Sequence, residues 1–230
     1  MLKVWLSMRG WHQAVGARGL KPAACAALAL AAATSGGCNA IQAMRSLIYQ
    51  TAPQTEPVDA EYAGLDDHKV LVYVWANPET LWDYPHLRLD LTAHLSSYLK
   101  ENVKKADVIP APQVEAHIKS LSTMHPEPAD IARHFHADEV IHVSVYKFSM
   151  RDPGMSQFYR GRLSASVVVN DLTAKDGTVK RVPLQDVVVV VPEAGLGLHD
   201  TTADQVRDMT YREFTQATGR KFHKWERELK

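Results

Sequence analysis

The sequence predicts an α/β protein, α+β-like in its second half. The expected architecture is a mixed sheet with a βαβ start, two short helices, an antiparallel three-strand meander and a C-terminal helix. Three observations lead there. A run that is apolar on both faces, His68–Ala76, is followed by a long amphipathic segment. Strand-like alternation takes over after residue 139. Asp176-Gly177 then sits between two β-branched runs, the strongest short hairpin signal.

The elements follow in order. His68-Lys-Val-Leu-Val-Tyr-Val-Trp-Ala76 reads as a central strand, and Asn77-Pro78 breaks it. From His86 to Lys105, Leu87, Leu91, Leu95, Tyr98, Leu99 and Val103 recur at three- and four-residue spacing, the stripe of a core-facing helix. Asp107-Val-Ile-Pro110 is a short strand stopped by proline, parallel to the first across the helix. Gln113–Leu121 and Ala129–His136 are two short helices, separated by Pro126 and Pro128. Glu139–Ser149, Phe158–Leu172 and Val179–Val191 are expected to form the meander. A helix from about Thr202 to Lys230 closes the chain, with Thr201 or Thr202 and Asp204 or Gln205 available as a cap.

The order of these phrases carries a resemblance. Val70-Leu-Val-Tyr-Val74, Asp107-Val-Ile-Pro110, Asp130–Val145 with its Ala137-Asp138 step into a strand, Arg162–Leu172 and Asp176-Gly177 are the phrases concerned. Over about residues 67 to 192 the chain is similar to one periplasmic α/β domain. Curli-secretion lipoproteins, penicillin-binding-protein activator lipoproteins and the amino-terminal domain of TolB share it. The resemblance implies a non-enzymatic envelope lipoprotein that binds other envelope proteins. Nothing in the chain corresponds to the pore-forming hairpin pair of the secretion channels, so channel activity is not implied.

The first 38 residues say where the protein works. Residues 1–21 hold Lys3, Arg9, Arg18 and Lys21 and no acid. Ala23–Ala33 is an uninterrupted apolar run, followed by Thr34-Ser-Gly-Gly37 and Cys38. These are the parts of a secretory signal, and the run is shorter than the ~20 residues of a membrane span. Small residues before a cysteine resemble the lipobox of bacterial lipoproteins, in which the chain is cut before the cysteine and the thiol is acylated, palmitate being one such chain. The lipobox usually carries an aliphatic residue where this chain has Ser35. An ordinary signal cut between Ala33 and Gly37 is the alternative, leaving Cys38 a free thiol. In the lipobox reading Asn39 favours the outer membrane, since enteric sorting retains Asp at that place in the inner one.

The domain boundaries read as 1–37 signal peptide, 38–66 lipid-anchored linker and 67–230 single periplasmic domain. Ala52-Pro-Gln-Thr-Glu-Pro57 has the composition of a tether. Cys25 lies inside the signal, so the exported chain has one cysteine and no internal disulfide. Export leaves 22 basic against 26 acidic residues, a net charge of about −4. With no clustered basic patch, nucleic acid is not an expected partner.

Catalytic and ligand chemistry finds little footing. His134 and His136 lie two apart, which on a helix puts them on different faces, and no HExxH or cysteine cluster is present. Asp66-Asp67-His68 reads as a solvated strand entry. Glu193–Asp200 lacks GxGxxG and the Walker pattern, and Ser144, Ser164 and Ser166 lack a nucleophile elbow. No metal, cofactor or enzymatic activity is expected.

Two aromatic loops stand out as candidate partner contacts. Trp75–Pro85 presents Trp82 and Tyr84 between prolines, and Arg151–Tyr159 presents Met155, Phe158 and Tyr159. Packing down on the sheet as a lid is the competing reading. The expected function is a membrane-anchored, periplasm-facing binding or assembly module for an envelope or membrane protein. An exported solute- or metal-binding protein, using His and Asp near 66–68 or 134–142, is the alternative.

Overall fold

The computed structural model describes residues 55–229 apart from 124, 152, 153, 155 and 156. The signal and Cys38 lie outside the described residues.

Strand β2, Lys69–Ala76, is buried along almost its whole length. It lies between β3, Asp107–Val108, and β4, Glu139–Ser149, parallel to both. Its two apolar faces serve two cores. Val70, Val72, Val74 and Ala76 point into the main core, and Leu71 and Tyr73 into a smaller one. That is why the run is continuously apolar rather than alternating.

Helix α1, Pro78–Asp83, was not foreseen, because Asn77-Pro78 reads as a break. The same two residues start it: the Asn77 side chain accepts from the Thr80 amide at 2.7 Å, and proline opens the first turn. Helix α2, Leu87–Asn102, buries Leu87, Leu91, Leu95 and Leu99 on the main core. Helices α3, Ala111–Ser120, and α4, Pro128–Phe135, cover the other face through Val114, Ile118, Ile131 and Ala132. Helix α4 ends where His136 adopts a left-handed conformation, its amide donating to the carbonyls of Ala132 and Arg133.

Strand β4 pairs antiparallel with β5, Phe158–Asp171. The register shifts between Val145 and Lys147, leaving Tyr146 as the extra residue. That shift explains a change of parity: Ile141, Val143 and Val145 face the main core before it, Phe148 and Met150 after it. The expected third strand is split into β6, Lys180–Pro183, and β7, Val187–Gly197, both antiparallel to β5. Buried Leu184 makes the turn between them, held by the Leu184 amide on the Val167 carbonyl at 2.9 Å.

Helix α5, Ala203–Gly219, packs Val206, Tyr211 and Phe214 into the main core. Thr202 and Gln205 form the cap foreseen for it, each side chain bonded to the other's backbone. The helix stops eleven residues earlier than the sequence suggests. Gly219 presses against the Tyr98 ring, where a Cβ would meet Cδ1 at 2.2 Å. A 3-10 turn, Arg220–Phe222, then buries Phe222, and β8, Trp225–Glu228, returns as a strand.

Strand β8 pairs antiparallel with β1, Thr55–Val58, inside the segment read as linker. Leu65 is fully buried and Tyr62 packs on the main core, so residues 55–66, read as linker, belong to the folded unit. The sequence hides this because the pairing partner lies at the far end of the chain. The result is a mixed sheet between two helical layers, α2 and α5 on one face, α3 and α4 on the other.

Candidate functional site

Parallel pairing places the loops that follow β2 and β4 at the same end of the sheet. In open α/β sheets that end is where ligands gather. Here it carries a groove of about 380 Å³ lined by Trp75, Pro78, Leu81, Trp82, Arg88 and His125.

Each wall has a physical origin. Trp75 is the penultimate residue of strand β2 and packs partly on the smaller core. His125 lies on it, ring centroids 4.4 Å apart. Trp82, on the short α1, is 87% exposed. Arg88 on α2 is fixed by Glu115 on α3 through two hydrogen bonds, 2.8 Å from Nε and 2.7 Å from Nη2. Burial opposes ionisation of Glu115, but Arg88 outweighs it and holds the carboxyl below its usual range. The groove therefore has an aromatic floor and rim with one fixed cation and one imidazole.

The expected contact residues divide. Trp82 points outward at the groove rim. Tyr84 turns inward: its ring meets Phe148 edge-on at 4.5 Å, and burial raises its hydroxyl pKa. Tyr84 therefore packs down on the sheet, whereas Trp82 stands in solvent. Phe158 is 47% exposed at the start of β5. Tyr159 is half-buried, with the Arg151 guanidinium 4.9 Å above its ring and donating to its hydroxyl at 3.2 Å. Met155 lies outside the described residues.

The histidines singled out in the sequence have separate surroundings. Among the described residues His134, His136 and His142 form no metal-holding group. His142 stacks on Tyr73 at 5.1 Å, and Ser144 Oγ is 3.1 Å from its Nε2. Burial first, then the charges of Arg181 and His125, push its pKa down to about 4, which leaves it a weak base at neutral pH. His134 instead meets His117 of α3. The rings stack at 3.7 Å with planes 9° apart, and Phe135 stands edge-on to both. Burial and the neighbouring His134 lower the pKa of His117. His117 was not singled out from the sequence, because only tertiary packing brings α3 against α4. Near Asp66-Asp67-His68, Asp67 pairs with Lys105 at 3.2 Å and His68 Nδ1 lies 2.6 Å from the Gly64 carbonyl. Among the described residues no three His, Cys, Asp or Glu donors already stand where they would hold a metal ion.

No family model matches the chain, and no curated protein matches it. Several solved structures resemble it in part. PelC, a dodecamer from Paraburkholderia phytofirmans, is 11% identical over 74% of this chain and 98% of that one, with a TM-score of 0.42. Lipoprotein GNA1162 from Neisseria meningitidis is 15% identical over 65% and 97%, TM-score 0.39. Hypothetical protein CT253 from Chlamydia trachomatis is 14% identical over 66% and 96%, TM-score 0.37.

Proposed function

We propose that this chain is a membrane-anchored lipoprotein of the cell envelope. Its folded unit acts as a non-enzymatic binding or assembly module for another envelope protein. The anchor reading rests on the export signal ending in Cys38. Among the described residues no helix is long and apolar enough to cross a membrane. In this reading the acyl chains on Cys38 hold the protein to the bilayer. The outer membrane, facing the periplasm, is the location Asn39 favours.

The observation that carries the binding reading is Trp82. A tryptophan exposed to this extent, on the rim of a groove floored by Trp75, leaves a large apolar surface in water. Aromatic anchors of that kind dominate the energetics of protein interfaces.

The test has two arms. Intact mass and membrane fractionation are compared for wild type and Cys38→Ser; cleavage before Cys38 with added acyl mass, and release of the variant, support the anchor. A photo-crosslinking side chain at residue 82 should then trap one defined envelope protein that the same label at Glu101, on the exposed end of α2, does not trap. An unacylated soluble wild type refutes the anchor, and identical crosslinks from both positions refute the groove.

A further inference from the structure

The segment that leads into β2 is held down by a short set of polar contacts, and one of them is to a buried acid. β1 pairs with β8, four residues to a strand, in a two-stranded ribbon separate from the main sheet. Such a ribbon is marginal in water. Its ion pairs, Glu56 with Arg227 and Asp59 with Lys224, are exposed and contribute little. We propose that residues 55–63 form a strap latched by the proton on Glu139: the protonated acid holds the strap down, and ionisation lets it swing off the sheet.

Tyr62 is the bolt. Its amide donates to the Lys221 carbonyl at 2.9 Å, and its hydroxyl donates to Glu139 Oε1 at 2.8 Å. Its ring folds back over Gly64, where a Cβ would meet the ring hydroxyl at 2.6 Å. Leu65, the next residue, is fully buried in the main core. Gly64 therefore stands between a strap held by polar contacts and a residue fixed by burial, the place for a hinge.

Glu139 has a poor setting for a charge. It is buried at the start of β4, directly across the ladder from Asp171 on β5 and next in the chain to Asp138. Both carboxylates oppose its ionisation. Lys180, across from Asp171 on β6, compensates that carboxylate, and Asp138 accepts from the Lys69 amide at 2.8 Å. Two groups favour a charge on Glu139: the Tyr62 hydroxyl and His68, whose Nδ1 lies 3.6 Å from Oε1. His68 is a cation only while protonated, so the rise in pH that ionises Glu139 also withdraws that support.

The sign follows from where water can reach the acid. Burial above all holds the docked carboxyl at a pKa of about 7. Lifting Tyr62 away hydrates it and returns it toward its ordinary 4.5. Docking is tightest in acid and weakens as pH rises through about 7. The strap's own Glu61 does not interfere in that range. It accepts from the Gln185 amide at 2.6 Å and from Lys221 Nζ at 2.7 Å. Burial opposes its charge, but Lys221 and the Gln185 amide outweigh this and hold its pKa below the usual value. The latch stands independently of the lipid anchor and of the Trp82 surface. In the anchored reading, and resting on it, release adds up to about 30 Å of extended chain to the tether.

Amide hydrogen exchange of the full-length protein, read by mass spectrometry and corrected for intrinsic exchange rates, tests the latch. Protection of residues 55–63 and 225–228 should fall by some tens of fold between about pH 5.5 and 8.5. At each pH it should lie well below the protection of β2, because the strap opens without the rest of the fold. Glu139→Gln keeps an acceptor for Tyr62 and cannot ionise, so its strap should stay protected throughout. Tyr62→Phe should leave the strap less protected in acid than wild type. Thermal melting establishes that each variant is folded. The proposal is overturned if strap protection is independent of pH, or if its pH dependence persists in Glu139→Gln. It is equally overturned if the strap and β2 share one level of protection, since the strap then opens only when the whole fold does.

Discussion

The Tyr62 hydroxyl spans both oxygens of Glu139, at 2.8 and 3.0 Å, across 77 residues of sequence. Glu139 is 1% exposed at the first position of β4. His68 Nδ1 lies 3.6 Å from the same carboxyl. The contact docks the segment before β2 onto the sheet, and it puts an ionisable group in the interior.

Burial, with Asp171 and Asp138 adding to it, raises the Glu139 pKa to about 7, while Tyr62 and His68 oppose the shift. The folded protein therefore binds a proton that the unfolded chain releases near the ordinary carboxyl value of 4.5. The stability due to this group is fully present below pH 4.5 and is lost as pH rises through about 7. Over that window the loss is on the order of 3 kcal/mol. Glu139→Gln should flatten the profile of unfolding free energy against pH and exceed wild type in stability above about pH 7. Denaturant titrations at several pH values measure it; parallel profiles for the two proteins would sink the assignment.

Arg88 and Glu115 should give the opposite sign. The folded-state pKa of Glu115 is depressed, so its contribution is present above the usual carboxylate pKa and is lost as pH falls through the folded value. Glu115→Gln should cost about 1 kcal/mol at neutral pH, with the difference shrinking in acid. Chemical denaturation at neutral and acidic pH decides it, and a cost that grows in acid would contradict the pairing.

Gly219→Ala should be destabilising by about 1–3 kcal/mol. The new methyl would press on the Tyr98 ring, whose hydroxyl is 3.0 Å from Nε2 of His223. Displacing the ring disturbs the junction of α2, α5 and β8 together. A thermal melt unchanged from wild type would show that the ring yields freely.

Trp82→Ala should alter stability by no more than about 0.5 kcal/mol, since the side chain is already in water. Leu95→Ala, at a fully buried position on α2, should cost about 2–5 kcal/mol. The pair separates surface from core: a partner lost with Trp82→Ala while the melting temperature holds marks a contact, and a large drop in melting temperature would mark Trp82 as structural.

Much of the fold was legible. The strand before Asn77, the leucine stripe of α2, the Asp176-Gly177 hairpin and the Thr202–Gln205 cap are local signals, each set by periodicity or turn chemistry within about a dozen residues. What misled was non-local. The linker and the tail of the last helix read as separate, yet 55–58 and 225–228 pair. The unbroken Val179–Val191 run gave no sign that Leu184 would turn inward and split it. Trp82 was marked from its loop, whereas the inward turn of Tyr84 depends on Phe148, two strands away in the chain.

The sequence by itself determined the α/β class, the mixed sheet and the order of its main strands and helices. Charge, hydropathy and turn residues act locally, and a linear reading captures them. Tertiary structure alone decided which aromatic faces water, which carboxylate is buried, and that His117 rests on His134. Those are contacts between residues far apart in sequence, set by how two helical layers close over the sheet.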